Sequence, residues 1–324
     1  MLYLESRSTD PYYNLALEEY LFNTADEECF MLWQNDNTIV VGKYQNTIEE
    51  ISQKYVKEHK INVVRRLSGG GAVYHDLGNI NFTFIAKQNE ENTFCFEHFT
   101  KHIIEVLAEF QIKAEFNSRN DLVIDGKKFS GNSQYIKDGK VLHHGTLLFN
   151  SNLEILVEAL NVADIKIESK AIKSIHQRVT NIIEHMQRNV TLQEFKQAIK
   201  KNIFSNAEVK EYSITDEDNE KIGELRKQKY RTWEWNYAQS PKCNIIKKGK
   251  CQDAGVIQAM LEVEEGYIKE IKLFGDFFAE EDLQEYEKRM IGCRYSEEGL
   301  SSAVEQLSNA IVGMNKEWLL NLIL

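Results

Sequence analysis

The stretch Arg65-Arg66-Leu67-Ser68-Gly69-Gly70-Gly71-Ala72-Val73-Tyr74-His75-Asp76-Leu77-Gly78-Asn79 sets three consecutive glycines beside Arg66 and a histidine. Successive glycines after a strand let the backbone approach a ligand closely. Their amides can converge on a carboxylate or phosphate while Arg66 supplies a fixed positive charge. That is the chemistry of an anion pocket, although a bare glycine triplet is also simply a turn. The segment lacks the Gly-Lys-Ser/Thr of a phosphate loop and the GxGxxG that opens a dinucleotide-binding helix, so neither of those nucleotide folds is supported.

A second stretch runs Ser118-Arg119-Asn120-Asp121-Leu122-Val123-Ile124-Asp125-Gly126-Lys127-Lys128-Phe129-Ser130-Gly131. An isolated lysine on a strand is ordinarily a solvated edge charge. Near a glycine-lined anion pocket, Lys128 can instead hold an α-phosphate and a carboxylate together and offset their repulsion as one attacks the other. Asp121 offers a hard oxygen to Mg²⁺, with an Asx-turn as the structural alternative. In His143-His144-Gly145-Thr146-Leu147-Leu148 the two histidines share a strand and point to opposite faces, so only one can face a pocket. His144 is the candidate, a satisfied structural histidine is the alternative, and no third ligand at metal spacing supports zinc.

These residues need elements to hold them. Asp10-Pro11 opens a helix, since Asp10 can cap exposed amides and Pro11 suits the first helical position; Leu15, Leu17, Tyr20 and Leu21 give it an apolar side. Phe30 to Trp33 and Thr38 to Gly42 are short, apolar or β-branched, and separated by Asn35-Asp36-Asn37, which reads as a β-hairpin. A polar helix from Ile48 to His59 and a strand from Ile61 to Arg66 follow. The glycines then join that strand to an alternating segment from Asn79 to Ala86. Ile103, Ile104, Leu107 and Phe110 recur at helical spacing. Asp125-Gly126 and Lys137-Asp138-Gly139-Lys140 fold residues 122 to 150 into an antiparallel meander that carries Lys128 and His144. Residues 153 to about 207 are mostly helical in pattern, and 206 to 219 form a polar connection. Beyond Ser240-Pro241, strands from Val256 to Val263 and from Tyr267 to Phe274 precede three helices, a small α+β appendage.

The chain has 324 residues, more than one core usually serves, so two domains are expected, at 1–245 and 246–324. A formal charge of −11 argues against a general nucleic-acid binder, and any anionic ligand needs a local cationic cluster. Five scattered cysteines without a CxxC pair read as reduced thiols. The charged first thirty residues exclude the apolar stretch of a signal peptide, and no apolar run approaches membrane-spanning length. A cytosolic location with no membrane partner is expected.

Taken together, the glycine segment, Arg-Asn-Asp followed by Asp-Gly-Lys-Lys-x-Ser-Gly, and His-His-Gly-Thr-Leu-Leu resemble the three signatures of the lipoate-protein ligase A family. The likeness continues through Lys173-Ser174-Ile175 with Arg178-Val179-Thr180-Asn181, and Trp233-Glu234-Trp235-Asn236-Tyr237 with Ser240-Pro241, covering nearly the whole chain in order. Ser118 and Ala238 stand where the family more often has glycine, which touches only local loop shape.

The resemblance implies an α+β catalytic domain similar to biotin-protein ligases and class II aminoacyl-tRNA synthetases, with a mixed, largely antiparallel sheet flanked by helices. It implies ATP and Mg²⁺ as cofactors, lipoate as substrate, and lipoyl-AMP as intermediate. Lys128 matches the lysine that contacts lipoate and the activated phosphate. Arg66, Gly70, Gly71, Ala72, Val73, Tyr74, Asn120 and Asp121 fall at positions for ATP or the adenylate, Asp121 also for Mg²⁺. Trp33, Ser68, His75 and His144 fall at positions for lipoate. The implied acceptors are lipoyl domains of 2-oxoacid dehydrogenase E2 subunits and the glycine-cleavage H protein.

Two rival functions remain open to such a sequence. An octanoyl or lipoyl transferase on the same scaffold would work through a cysteine thioester, yet none of the cysteines lies in the three signature segments. A non-catalytic lipoate-binding module would have little reason to keep Lys128 together with the complete glycine segment.

Overall fold

The structure is a computed structural model and describes residues 1–117, 119–160, 178–205, 209–238 and 243–324. Ser118, the segment Lys173-Ser174-Ile175, Ser240-Pro241 and part of the helical expectation over 153–207 lie outside the described residues. The chain divides into two compact units, neither continuous in sequence. The first is Met1–Val40, Ile51–Val64 and Val73–Thr232; the second is Val41–Glu50, Arg65–Ala72 and Trp233–Leu324.

The first unit is built on an eight-stranded sheet. Its spatial order is Lys210–Glu211, Leu2–Glu5, Cys29–Trp33, Asn79–Lys87, Lys140–Leu148, Lys127–Lys137, Asp121–Ile124 and Ala114–Asn117. Leu2–Glu5 runs parallel to both its neighbours and every other pairing is antiparallel, the mixed sheet that was expected. Its turns follow local chemistry: Asp125 and Gly126 take φ values of 50° and 73°, and Asp138 and Gly139 take 51° and 72°, the left-handed pair of a type I′ hairpin. The first helix, Pro11–Thr24, begins as read, with the Asp10 carboxylate accepting from the amides of Tyr12 and Tyr13.

One face of the sheet carries an apolar core. Phe30, Leu32, Phe82, Phe84, Val141 and Leu147 meet Phe99, Ile103, Val106 and Leu107 of the helix Phe96–Glu109, and Phe195 and Ile199 of the helix Leu192–Ile203. His143 belongs to this face. Its ring stacks on Phe99 at 4.7 Å between centroids, and Nδ1 lies 3.2 Å from the Gln134 amide.

The expected hairpin of residues 30–42 does not form. Cys29–Trp33 pairs with Leu2–Glu5 and Asn79–Lys87 in the large sheet. Thr38–Val41 instead lies between Asn62–Arg65 and Val73–His75 in a separate three-stranded sheet. Both segments are buried throughout, so neither has the solvated face of a two-stranded hairpin, and the intervening Asn35 is a buried partner of other side chains, not a turn tip. The short strand Val73–His75, absent from the sequence reading, receives the chain directly after the glycines. The expected helix over 48–59 is two shorter ones, Thr47–Glu50 and Gln53–Glu58, interrupted where Ile51 bridges to Leu160.

In the second unit, Ile245–Cys251, Gly255–Glu264 and Tyr267–Gly275 form an antiparallel sheet, and Leu283–Met290, Glu297–Asn309 and Lys316–Ile323 pack on it through Leu283, Met290, Leu300, Val304, Leu307, Leu319 and Ile323. This is the α+β appendage, with one added edge strand whose three lysines masked its β pattern.

Arg65 organises the earlier segments of this unit. Its side chain is 1% exposed, and no carboxylate among the described residues pairs with it. The guanidinium donates to the carbonyls of Gly42, Lys43, Gln45, Trp235 and Asn236 and to the Thr47 hydroxyl, while its backbone amide and carbonyl bond the Asn236 and Trp235 side chains. Burial lowers its pKa to about 10, so it stays charged at neutral pH.

Two outcomes are expected. Arg65→Met strands several buried carbonyls and should lower the unfolding free energy by at least about 3 kcal/mol; an unchanged urea midpoint would mean that these segments hold together without Arg65. Burial also holds His143 well below the ordinary imidazole range, so the folded state excludes a proton that the unfolded chain binds below about pH 6.5. Its contribution is therefore intact above that pH and lost as pH falls, by up to about 1.4 kcal/mol per pH unit. The stability of His143→Gln should fall less between pH 7 and 5.5 than that of the parent, and equal losses would contradict this.

Candidate functional site

Strand alternation divides the large sheet into its aromatic face and a polar one. In Asn79-Ile80-Asn81-Phe82-Thr83-Phe84 the isoleucine and phenylalanines enter the core, leaving Asn79, Asn81 and Thr83 on the other side. Register extends that polar face. Thr83 pairs with His144 and Met31, Asn81 with Thr146 and Trp33, and Ser133 with His144. His144 is thus on the face opposite His143.

Such a buried polar surface must be hydrogen-bonded. Glu18, 1% exposed and projecting from Pro11–Thr24, accepts from His144 Nδ1 at 2.9 Å and from the Thr83 hydroxyl at 2.7 Å. The Trp33 indole N–H donates to that same hydroxyl at 2.9 Å. The edge-on Trp33 ring lies 6.2 Å from the His75 ring. His75 Nδ1 is 3.2 Å from the Asn35 amide nitrogen and 3.5 Å from that of Asn81. Three of the sequence candidates, Trp33, His75 and His144, are therefore gathered into one buried array.

Lys128 has a more exposed setting. Its backbone amide donates to the Arg178 carbonyl at 2.7 Å, and its carbonyl accepts from the Thr180 amide at 2.9 Å. Opposite, Leu122 pairs with Ser130 but Val123 with Lys128, so Phe129 is the extra residue of a β-bulge. The ammonium lies 2.7 Å from Asp121 Oδ1, with the two side chains 39% and 28% exposed. A Cβ on Gly131 would stand 3.0 Å from the lysine nitrogen, so a side chain there would crowd it. Asn120, from the same signature, donates its amide to the Asn132 carbonyl at 2.6 Å, closing the turn beside Asp121.

Asp121 alone cannot cage a metal, and no group of three or more His, Cys, Asp and Glu able to hold one occurs among the described residues. One carboxylate does suit a Mg²⁺ that arrives on phosphate oxygens.

The glycine segment lies in the second unit up to Ala72. The Arg66 guanidinium is 6% exposed and bonds the loop itself, donating to the Gly69 and Gly71 carbonyls at 2.6 and 2.8 Å and to the Ser68 hydroxyl at 3.1 Å. Gly70, at φ +86°, donates its amide to the Phe277 carbonyl at 3.2 Å. Its own carbonyl lies so close to Gly42 that a Cβ there would fall 2.0 Å from it. The expectation that the three amides converge on an anion is thus not the arrangement seen: one amide serves Phe277, and Arg66 braces the turn. Gly71 faces open space. Beyond Ala72, the first unit places Val73 and Tyr74 against Val40 and Ile39, with the Tyr74 hydroxyl donating to Asn37 Oδ1. Burial first, then the charge of Asp76, pushes the Tyr74 phenol up to about 12.

Sequence reasoning missed Glu18, Asn35, Asn81 and Thr83. Glu18 had a signal, a carboxylate three residues after Leu15 and three before Leu21, on the helix side that should be apolar. Asn81 and Thr83 were visible as the polar half of an alternating strand.

Comparison with known proteins bears on this geometry. Residues 10–204 match the lipoyl protein ligase A/B catalytic domain, and residues 240–323 the bacterial lipoate protein ligase C-terminus. The lipoate-protein ligase LplJ of Bacillus subtilis is 43% identical, with 100% of each chain covered. Among solved structures, P. falciparum LipL1 in complex with lipoate superposes with a TM-score of 0.81 at 26% identity, covering 98% of this chain and 96% of that one. A lipoate-protein ligase A bound with ATP gives 0.63 at 25% identity, with coverage of 72% and 96%. On two family matches that span most of its length and a relative at this identity, the chain belongs to the lipoate-protein ligase family.

Proposed function

We propose that this protein is an ATP-dependent ligase that activates free lipoate as lipoyl-AMP and transfers the lipoyl group to one lysine of a lipoyl-domain protein. The observation that carries the reading is Lys128, whose main chain is fixed by hydrogen bonds on both sides and a bulge, whose ammonium is paired with Asp121, and for which Gly131 leaves space. In the first step a lipoate carboxylate oxygen attacks the α-phosphorus, the bond to the bridging oxygen breaks, and pyrophosphate leaves. Lys128 offsets charge on both reacting groups. In the second step the acceptor amine attacks the carbonyl carbon, the carbon–oxygen bond to phosphate breaks, AMP leaves, and the amine gives up a proton. No covalent enzyme intermediate is required.

To ATP and the adenylate we assign Arg66, Gly70, Gly71, Ala72, Val73, Tyr74, Asn120, Asp121 and Lys128, and to lipoate Trp33, Ser68, His75, His144 and Lys128. Mg²⁺, entering on the triphosphate, would neutralise phosphate charge, with Asp121 as its protein oxygen. The acceptors we assign are E2 lipoyl domains of 2-oxoacid dehydrogenases and the glycine-cleavage H protein, in the cytosol. No helix among the described residues is long and apolar enough to cross a membrane. A thioester-forming transferase is disfavoured at Cys29, whose thiol is buried and pushed up to about 12.

Pyrophosphate release from Mg-ATP should depend on added lipoate and fall by roughly 10²–10³ in Lys128→Ala. Release without lipoate, or no release alongside acyl transfer from another lipoylated protein, would point away from a ligase. Glu18→Gln should raise the KM for lipoate several-fold and leave that for ATP nearly unchanged, because the Glu18 carboxylate holds His144, a lipoate residue, and Thr83, the hydroxyl that also anchors Trp33. Equal effects on both constants would detach Glu18 from the acyl substrate.

A further inference from the structure

We propose that Asn35 and Asn81 are positioning residues that hold His75 as a neutral ring with its proton on Nε2, making it a hydrogen-bond donor to an anionic oxygen of the substrates and not a base. The tautomer follows from the structure alone. The anionic partner rests on the ligase reading above.

The orientation of the Asn14 amide, and through it that of Asn35, can be traced to groups that only accept. The Asn14 amide nitrogen lies 2.9 Å from the Ser8 carbonyl oxygen and 2.8 Å from that of Gln34. Two carbonyls facing one end of an amide require that end to be the NH₂. The other end, Asn14 Oδ1, accepts from the Ser6 hydroxyl at 2.7 Å. The same NH₂ lies 3.0 Å from Asn35, so the atom of Asn35 that meets it is Oδ1. The Asn35 NH₂ is thereby turned to His75 Nδ1 at 3.2 Å. A second amide approaches the same ring nitrogen in a consistent orientation. Asn81 Oδ1 accepts from Asn79 at 2.8 Å, which leaves the Asn81 NH₂ on the side of His75 Nδ1, in a longer contact of 3.5 Å.

An amide NH₂ has no lone pair to offer, so Nδ1 must be the acceptor. A proton there would set N–H against N–H, in a setting where Asn14, Asn35, Asn81 and His75 are 0, 0, 1 and 3% exposed and bulk water offers little compensation. The neutral ring therefore keeps its single proton on Nε2. From that nitrogen it can donate to a lipoate carboxylate or to an α-phosphate oxygen. It cannot take the proton of the attacking lysine amine through Nδ1, whose lone pair is already engaged. Asn35 was easily read as one of three turn residues in Asn35-Asp36-Asn37. Its place 40 residues from His75 in sequence gives it this other task.

The test is a long-range proton–nitrogen correlation spectrum of the full chain labelled with ¹⁵N-histidine, in which the His75 signals are those lost in His75→Gln. At neutral pH the free protein should show His75 protonated at Nε2 and bare at Nδ1; a ring protonated at Nδ1, alone or on both nitrogens, overturns the proposal. Asn35→Asp keeps an oxygen for Asn14 and presents a second to the ring, so it should move the proton to Nδ1. With the thermal midpoint retained, lipoate-dependent pyrophosphate release should then fall by roughly tenfold or more. Should that variant not fold, Asn81→Asp presents an oxygen to the same ring nitrogen from the strand Asn79–Lys87. Adding lipoate alone or Mg-ATP alone identifies the acceptor: a shift of the Nε2 proton with the first marks the carboxylate, and with the second the phosphate. No shift with either ligand overturns the donor role. The tautomer is read without turnover, so a correct tautomer in a protein that releases no pyrophosphate would count against the ligase reading and not against this one.

Discussion

Neighbouring side chains on a strand cannot both face the same way, and the first unit is built around that constraint. Asn79–Lys87 and Lys140–Leu148 send Ile80, Phe82, Phe84, Val141, Leu147 and His143 into a dry core. The intervening positions are thereby committed to the other face. There Asn79, Asn81, Thr83, His144 and Thr146 stand among apolar residues, and burial forces each of the polar ones to find a partner. Glu18 exists in that setting as the acceptor that His144 and Thr83 need. Asn35 reaches across from the chain after Cys29–Trp33 for a similar reason. Two adjacent histidines with unlike surroundings are the plainest result: one stacks on Phe99, the other meets a carboxylate.

The second unit answers a different demand. A guanidinium without a carboxylate would be costly to bury, but carbonyl oxygens at the ends of short irregular segments are costly to bury as well. Arg65 resolves both by collecting five of them. Arg66, its neighbour in sequence, does the same within the glycine turn. Adjacent arginines thus brace successive stretches of backbone, which explains how a run of three glycines, the least self-organising sequence there is, acquires a defined shape.

What could be read from the sequence was whatever depends on near neighbours. Asp10 capping its helix, the Asp-Gly turns and the helices of the appendage each follow from a few adjacent residues. The signature segments were recognisable as chemistry for the same reason. The pairing partner of a strand is not encoded locally. Phe30 to Trp33 and Thr38 to Gly42 looked like a hairpin because the two runs are close in sequence, whereas their hydrogen bonds go to strands about fifty and thirty-five residues onward. Ile245–Cys251 was hidden by lysines suited to an exposed edge. Of the site, the residues that carry charge or glycine were legible. The neutral amides and hydroxyl that orient them were not, since Asn35, Asn81 and Thr83 differ from surface residues only in where the fold puts them.

The bulge at Phe129 makes the side of the sheet on which Lys128 emerges a question of parity. Counting back from the pairing of Asp121 with Gly131, an unbroken ladder would send the lysine to the aromatic core side; one surplus residue brings it back beside the Asp121 carboxylate. Loss of the Phe129 codon would close the ladder and leave Lys128 opposite Val123, still on the Asp121 side, whereas one residue gained between Lys128 and Gly131 with the bulge retained would set Lys128 opposite Ile124 and turn the ammonium into the core; lengthening the Asp125-Gly126 tip adds residues outside the count. Among related chains, the length of this hairpin arm carries as much information about the lysine as its presence does.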